Sequence, residues 1–268
     1  MTARAQGGVK SARRALQVIE YVARRRDGAT FVEIARDLGL PNSSLHGLLA
    51  TLVDMRWLLL DPAQRRYLVG VRPWEVGQAF LPSRELVVRA RRYLRAANDE
   101  LGETIQMAIL DDLDVVYIDK VEGTHPLRLV SEVGIRLPAY VTGIGKALLA
   151  ALPDDELQER FAGVELEGYT SRTITSGDRL LEVLRAVREQ GYAEDDGEYT
   201  TGVFCTAVPI RDAAGRTVAA MSCAVPTSRI ETGELDTATV REVLVRHADG
   251  IRDALGPDVP RLDEESTR

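Results

Sequence analysis

Between residues 11 and 70 the apolar positions recur first at helical spacing and then in short runs. Ala15, Leu16, Ile19, Val22 and Ala23 share one face of an expected first helix, with Ser11 as a candidate N-cap and Asp27-Gly28 as its stop. Phe31, Ile34, Ala35 and Leu38 mark a second helix, which Gly39 and Pro41 interrupt. Leu45, Leu48, Leu49 and Leu52 mark a third, with Asn42 or Ser43 placed to cap it. Two apolar runs, 57–60 and 67–70, flank a turn containing Pro62 and ending in Arg65-Arg66, the pattern of a hairpin.

From Val71 to Leu101 the apolar positions are wider than one helix face. Pro82 divides them into a linker helix and the first helix of a second domain, because proline starts a helix far more readily than it continues one. Strands are expected over 104–110, 115–121 and 127–130, a helix over 142–152, and another from Pro153. A helix over 179–190 stops at Gly191, strands over 203–210 and 217–225 meet in a turn at 212–216, and a last helix spans 235–255. Strands joined mainly by short turns, with helices between, predict an α+β domain with an antiparallel sheet. The expected division is a disordered tail at 1–10, a three-helix and hairpin domain at 11–70, a linker and dimerisation helix at 71–92, a second domain at 93–256, and a disordered tail at 257–268. No internal repeat is evident.

Charge sharpens this division. The chain of 268 residues has a net charge of -7, but residues 1–97 carry 17 Lys and Arg against 8 Asp and Glu, which leaves 17 against 33 in the remainder. A basic first part suits phosphate binding through counterion release, and an acidic second part keeps the chain off random polyanions. No apolar run reaches the roughly 20 residues that span a bilayer, and the first ten residues lack a signal core, so a cytoplasmic protein is expected. Cys205 and Cys223 read as reduced, buried thiols. His46, His125 and His247 lie in unrelated contexts, so neither a metal site nor a cofactor is expected.

Helix, glycine turn, helix and hairpin suit a winged helix-turn-helix, although such a turn is also an ordinary corner of a helical domain. In the first reading Asn42, Ser43, Ser44 and His46 meet DNA together with Arg14, and Arg65 and Arg66 reach phosphate or the minor groove from the wing. Exposed arginines can equally be solvated surface. Gly143 and Gly145 at a helix start leave backbone N–H groups uncovered for an anion, or serve only tight packing. The spacing is not that of a Walker A loop. Cys205 and Ser222 lie on the two strands of the expected hairpin, so one sheet face can present both.

Several motifs together resemble the IclR family of bacterial transcriptional regulators over about residues 11–255. The N-terminal ones are Arg14-Ala15-Leu16, Glu33-Ile34-Ala35, Gly39-Leu40-Pro41 and Tyr67-Leu68-Val69-Gly70. More specific are the segments 118–123 (IDKVEG), 134–140 (GIRLPAY), 143–150 (GIGKALLA), 191–198 (GYAEDDGE) and 205–210 (CTAVPI), in that order. The resemblance implies a winged helix-turn-helix, a linker helix and a GAF-like effector-binding domain, in a homodimer or dimer of dimers that binds operator DNA. It also implies an effector site in which Gly143, Ile144 and Gly145 form the nest and Asp195, Cys205 and Ser222 bring polar groups, against a wall of Leu129, Leu137 and Val203. The bland readings are a core thiol for Cys205 and a solvated turn for Asp195.

Three positions depart from the family pattern. Ala224 stands where many members have a second serine, Tyr140 where histidine is frequent, and Gly47 where arginine is usual. The first two changes remove or reshape polar capacity. They point to an effector with apolar or aromatic character and one carboxylate-like end, rather than a very small keto acid. The alternative is a small hydrolase or isomerase using Lys146, Asp195, Glu198 and Cys205, but Cys205 lacks a recognisable histidine partner, so a non-enzyme is expected.

Overall fold

The computed structural model describes residues 9–79, 81–124 and 132–255, with the side chains of residues 81–84 left aside. The expected strand at 127–130, with Leu129, lies outside the described residues, as do His125, Phe80 and nearly all of both expected tails. The chain divides into two compact units, 1–81 and 82–268. That division falls inside the stretch read as a linker.

The first unit contains α1 (Lys10–Ala23), β1 (Ala29–Thr30), α2 (Phe31–Asp37), α3 (Asn42–Asp54), β2 (Leu58–Asp61), β3 (Arg66–Val69) and α4 (Arg72–Gly77). Its three strands form an antiparallel sheet in the order β1-β3-β2, with Leu58 opposite Val69 and Ala29 opposite Tyr67. Val18, Tyr21, Val22, Ile34, Leu45, Leu49, Leu52 and Leu58 form the core, while Leu48 packs at its edge. The buried seam of α1 therefore runs through Ala15, Val18, Ile19 and Val22, at i, i+3, i+4 and i+7. Leu16, one residue off that stripe, is 59% exposed.

Two expected caps are absent. Helix α1 begins one residue before Ser11 with Val9 at the N-cap, and α3 begins at Asn42 with Pro41 at the N-cap, neither through a side chain. Pro41 already has the extended backbone that an N-cap needs, which puts Asn42 and Ser43 in the first helical turn. The side-chain cap lies instead at α2: Thr30 Oγ1 accepts from the Glu33 amide at 3.3 Å, and the Glu33 carboxylate accepts from the Thr30 amide at 2.7 Å. Gly39 has φ +59°, the left-handed turn that lets α2 stop and α3 start.

The second unit contains α5 (Leu81–Leu101), β4 (Thr104–Asp111), β5 (Asp114–Val121), β6 (Arg136–Pro138), a single 3-10 turn (Ala139–Val141), α6 (Gly143–Leu149), α7 (Asp154–Phe161), α8 (Gly177–Gln190), β7 (Ala193–Asp196), β8 (Val203–Arg211), β9 (Thr217–Pro226), α9 (Thr227–Glu231) and α10 (Thr237–Leu255). Helix α5 runs unbroken through residues 92 and 93, so the expected start of a domain there does not coincide with an element boundary. Six strands form a wholly antiparallel sheet in the order β6-β5-β4-β9-β8-β7.

The two faces of this sheet differ in side-chain size. Ile105, Met107, Val208, Ile210, Met221 and Cys223 pack against Leu86, Ala90 and Leu94 of α5 and Val240, Leu244 and Ile251 of α10. On the opposite face Ala108, Ala207 and Ala220 lie under α6 and α8, with Ile144, Leu148, Leu180 and Leu184. Small residues on that face let a buried helix come close, and α6 is buried along its whole length.

Candidate DNA-binding and effector sites

On the first unit α3 exposes Asn42, Ser43, Ser44, His46 and Gly47 along one side, while Leu45, Leu49 and Leu52 hold it to the core. The His46 ring stacks on Phe31 at a centroid distance of 4.2 Å and an angle of 27°, which fixes its direction. Arg14 and Ser44 line one groove of about 300 Å³ together with Lys10, Ser11, Leu40, Leu45 and Leu48. Lys10 was not singled out in the sequence, because nothing in its spacing links the start of α1 to α3.

The two wing arginines separate. Arg65 is exposed in the turn with φ +51°. Arg66 is turned back into the unit: its guanidinium donates to the Asp27 carbonyl at 2.8 Å and the Gly28 carbonyl at 3.1 Å, and lies 3.4 Å from Glu33. The reading of Arg66 as a wing-tip contact is therefore corrected. Arg65 belongs to the turn, whereas Arg66 begins β3, paired opposite Thr30 and Asp61, which sets its side chain beside the α1–α2 connection that it braces.

On the second unit the register places Cys205 opposite both Asp195 on β7 and Ala224 on β9, while Ser222 lies opposite Ala207 and Gln106. Asp195, Cys205, Ala207, Ser222 and Ala224 thus share the small-residue face, and Asp195, Cys205 and Ser222 are all buried. A Cβ on Gly143 would sit 3.2 Å from the Cys205 carbonyl, so glycine there lets the start of α6 approach β7 and β8. Gly145 has a different reason. A Cβ there would meet the Ala139 carbonyl at 2.1 Å, and its N–H donates to Thr142 Oγ1 at 3.0 Å, the N-cap of α6. Close packing and capping account for Gly145, and its amide is not available to an anion.

Lys146 follows at 2% exposure and forms an ion pair with Glu198. Glu198 also donates its backbone N–H to Asp195 Oδ1 at 2.7 Å. Glu198 Oε2 and the Ser222 hydroxyl are buried without a hydrogen-bond partner among the described residues. Burial pushes the Asp195 carboxyl up to about 7, with the Glu198 charge adding and the Glu198 amide and Lys146 opposing. Burial likewise pushes the Cys205 thiol up to about 12. Leu137 and Ile144 belong to the apolar cluster on this face, and Val203 is buried at the start of β8. Tyr140 spends its hydroxyl on the Glu167 carbonyl at 2.7 Å.

This geometry does not make a nucleophilic centre. The Cys205 thiol is held protonated, Lys146 is matched by Glu198, and His247 of α10 pairs with Glu100 of α5 on the opposite sheet face. Among the described residues no group of three His, Cys, Asp or Glu side chains could hold a metal ion, and no helix is long and apolar enough to cross a membrane.

A winged helix-turn-helix and an α+β unit with a buried polar cluster, carried on one chain, define a ligand-responsive DNA-binding transcriptional regulator. Residues 11–62 match the IclR helix-turn-helix domain, and residues 78–252 match the C-terminal domain of bacterial IclR transcriptional regulators. The chain belongs to the IclR family, whose members regulate transcription rather than catalyse a reaction. It is 36% identical to the transcriptional repressor IclR of Escherichia coli K12 over 231 residues, covering 85% of this chain and 84% of that protein. A putative transcriptional regulator from Rhodococcus sp. RHA1 superposes with a TM-score of 0.78 at 32% identity, over 92% of this chain and 98% of that one. An IclR homologue from Microbacterium hydrocarbonoxydans, solved with 4-hydroxybenzoate, shares the fold with a TM-score of 0.81 at 23% identity, over 92% and 99% of the two chains.

Proposed function

We propose that this regulator controls a catabolic operon in response to a small organic acid or related aromatic metabolite, bound on the small-residue face of its six-stranded sheet. One observation carries the reading: Asp195, Glu198, Ser222 and Lys146 are buried together on a face rich in alanines and aliphatic side chains. Buried polar groups left without partners are what a ligand's polar end satisfies. Asp195, Cys205 and Ser222 supply that polar end, with Gly143 at its rim. Leu137, Ile144 and Val203 supply the apolar wall, and Leu129 is proposed for it from the family resemblance. Ala224 beside Cys205, and a Tyr140 hydroxyl already spent on Glu167, leave more room for an apolar body than for a second polar anchor.

Operator contact is assigned to Asn42, Ser43, Ser44 and His46 of α3, with Arg14 beside them and Arg65 on the wing. The protein acts in the cytoplasm as a homodimer or dimer of dimers on a pseudo-palindromic site, since a two-fold protein reads two half-sites. The effector biases the DNA-binding heads, and the effects of operator and effector on each other's affinity are reciprocal. Calorimetry with benzoate, 4-hydroxybenzoate, pyruvate and glyoxylate tests the ligand class; tighter binding of the keto acids sinks the aromatic reading. A gel shift on the DNA flanking the protein's own gene, with and without these acids, tests the regulation.

A further inference from the structure

The charges around Asp195 do not balance. Lys146 from α6 is matched by Glu198, which leaves Asp195 as the surplus carboxylate of the cluster. The other groups facing it are Cys205 from β8 with Ser222 of β9 beside that thiol, and Tyr117 from β5 with Tyr199 behind it, while Asp196, next along β7, points away from it. Among the described residues none of these is a cation. Of the amides at the start of α6 offered to an anion, that of Gly145 is taken by Thr142, and Gly143 lies against Asp195, where an added Cβ would come 3.6 Å from the Asp195 Cβ.

A carboxylate arriving at the start of α6 therefore meets the Asp195 carboxylate beside it. Two such groups sharing a buried site do not both stay ionised. We propose that Asp195 takes one proton from solvent when an acidic effector binds, and that its O–H then donates to the effector's carboxylate. This rests on the acidic-effector reading above. The Glu198 amide on Asp195 Oδ1 leaves the second oxygen to carry the proton, so the existing hydrogen bond survives the change. Because burial holds this carboxyl near 7 in the free protein, the proton is already largely in place at pH 6 and must be taken up at pH 8.5.

The test is calorimetry of the full-length protein with benzoate at pH 6, 7.5 and 8.5, in pairs of buffers with different ionisation enthalpies. Expected are close to one proton taken up per site at pH 8.5, far less at pH 6, and a Kd that rises toward about tenfold between pH 7.5 and 8.5. In Asp195→Asn the amide N–H replaces the O–H, so the variant should bind with the same Kd at all three values and take up no proton. Should that variant not fold, the buffer comparison on the unaltered protein decides alone. Binding without proton uptake, or an Asn variant that keeps the pH dependence, overturns this proposal and leaves the acidic effector standing. No binding of benzoate, 4-hydroxybenzoate, pyruvate or glyoxylate at any of these pH values refutes the acidic effector itself, and this proposal with it.

Discussion

Lys146 on α6 and Glu198 in the segment after β7 form an ion pair closed off from solvent, tying a fully buried helix to the far end of the sheet. Each charge is tolerated only because of the other. Lys146→Met should leave Glu198 buried and unpaired, at a cost of about 3–5 kcal/mol in urea unfolding. The double change Lys146→Met with Glu198→Leu should recover most of that loss, because replacing both charges removes both desolvation costs. A double variant no more stable than the single one would contradict this account.

Asp195 gives a pH dependence of folding with a defined sign. Its carboxyl is held at about 7 against an ordinary value of 3.8, so the folded chain binds more protons than the unfolded one between those values. Stability therefore falls as pH rises from about 4 to 7 and stays reduced above. Asp195→Asn should flatten this window and stabilise the protein at pH 8 by an amount on the order of a few kcal/mol. Thermal unfolding at pH 5, 6, 7 and 8 for both proteins measures it.

The wing arginines should separate experimentally. Arg66→Ala removes two hydrogen bonds to the Asp27 and Gly28 carbonyls, and should lower the unfolding midpoint of the first unit by a few degrees. Arg65→Ala should leave that midpoint in place and reduce the salt dependence of operator binding by about one counterion. Fluorescence anisotropy across a salt series distinguishes them; equal salt slopes for Arg65→Ala and the unaltered protein would remove Arg65 from the interface.

Gly47 sits on the exposed side of α3, where an added Cβ meets nothing within 4 Å. Arginine fits there without a steric cost and should gain about 1 kcal/mol of helix propensity. Gly47→Arg is predicted to tighten binding to operator and to unrelated DNA alike, with a steeper salt slope. Unchanged or weaker binding in a salt titration would refute the placement of α3 against the duplex.

Much of this architecture is legible from periodicity. Helices α2, α3, α8 and α10 and the β8–β9 hairpin follow from apolar spacing and turn residues, and strand alternation alone places Cys205 and Ser222 on one face. What escaped depends on partners distant in sequence. β1 is two residues long and exists only because β3 pairs with it, and β7 is too short and too acidic to read as a strand. The Thr30–Glu33 capping box was present as a local T-x-x-E pattern and could have been read. The Lys146–Glu198 pair could not, since 52 residues separate its members and a lysine among alanines looks like a solvated helix position. Gly145 shows the limit of reading glycines: nest and close packing leave the same letter, and only the Ala139 carbonyl distinguishes them.

Strand β7 has one more consequence. It is the outer strand on its side of the six-stranded sheet, so one row of its backbone donors and acceptors has no neighbouring strand among the described residues. Alternation that turns Ala193 and Asp195 inward turns Glu194 and Asp196 outward, where the Arg172 guanidinium pairs with the Asp196 carboxylate and donates to its backbone carbonyl at 3.2 Å. Charged side chains along this margin, with one of its carbonyls already taken by Arg172, oppose the edge-to-edge arrival of another strand, so the sheet resists growing into a fibre. Four residues thus bury a carboxylate on one face and charge the margin of the sheet on the other.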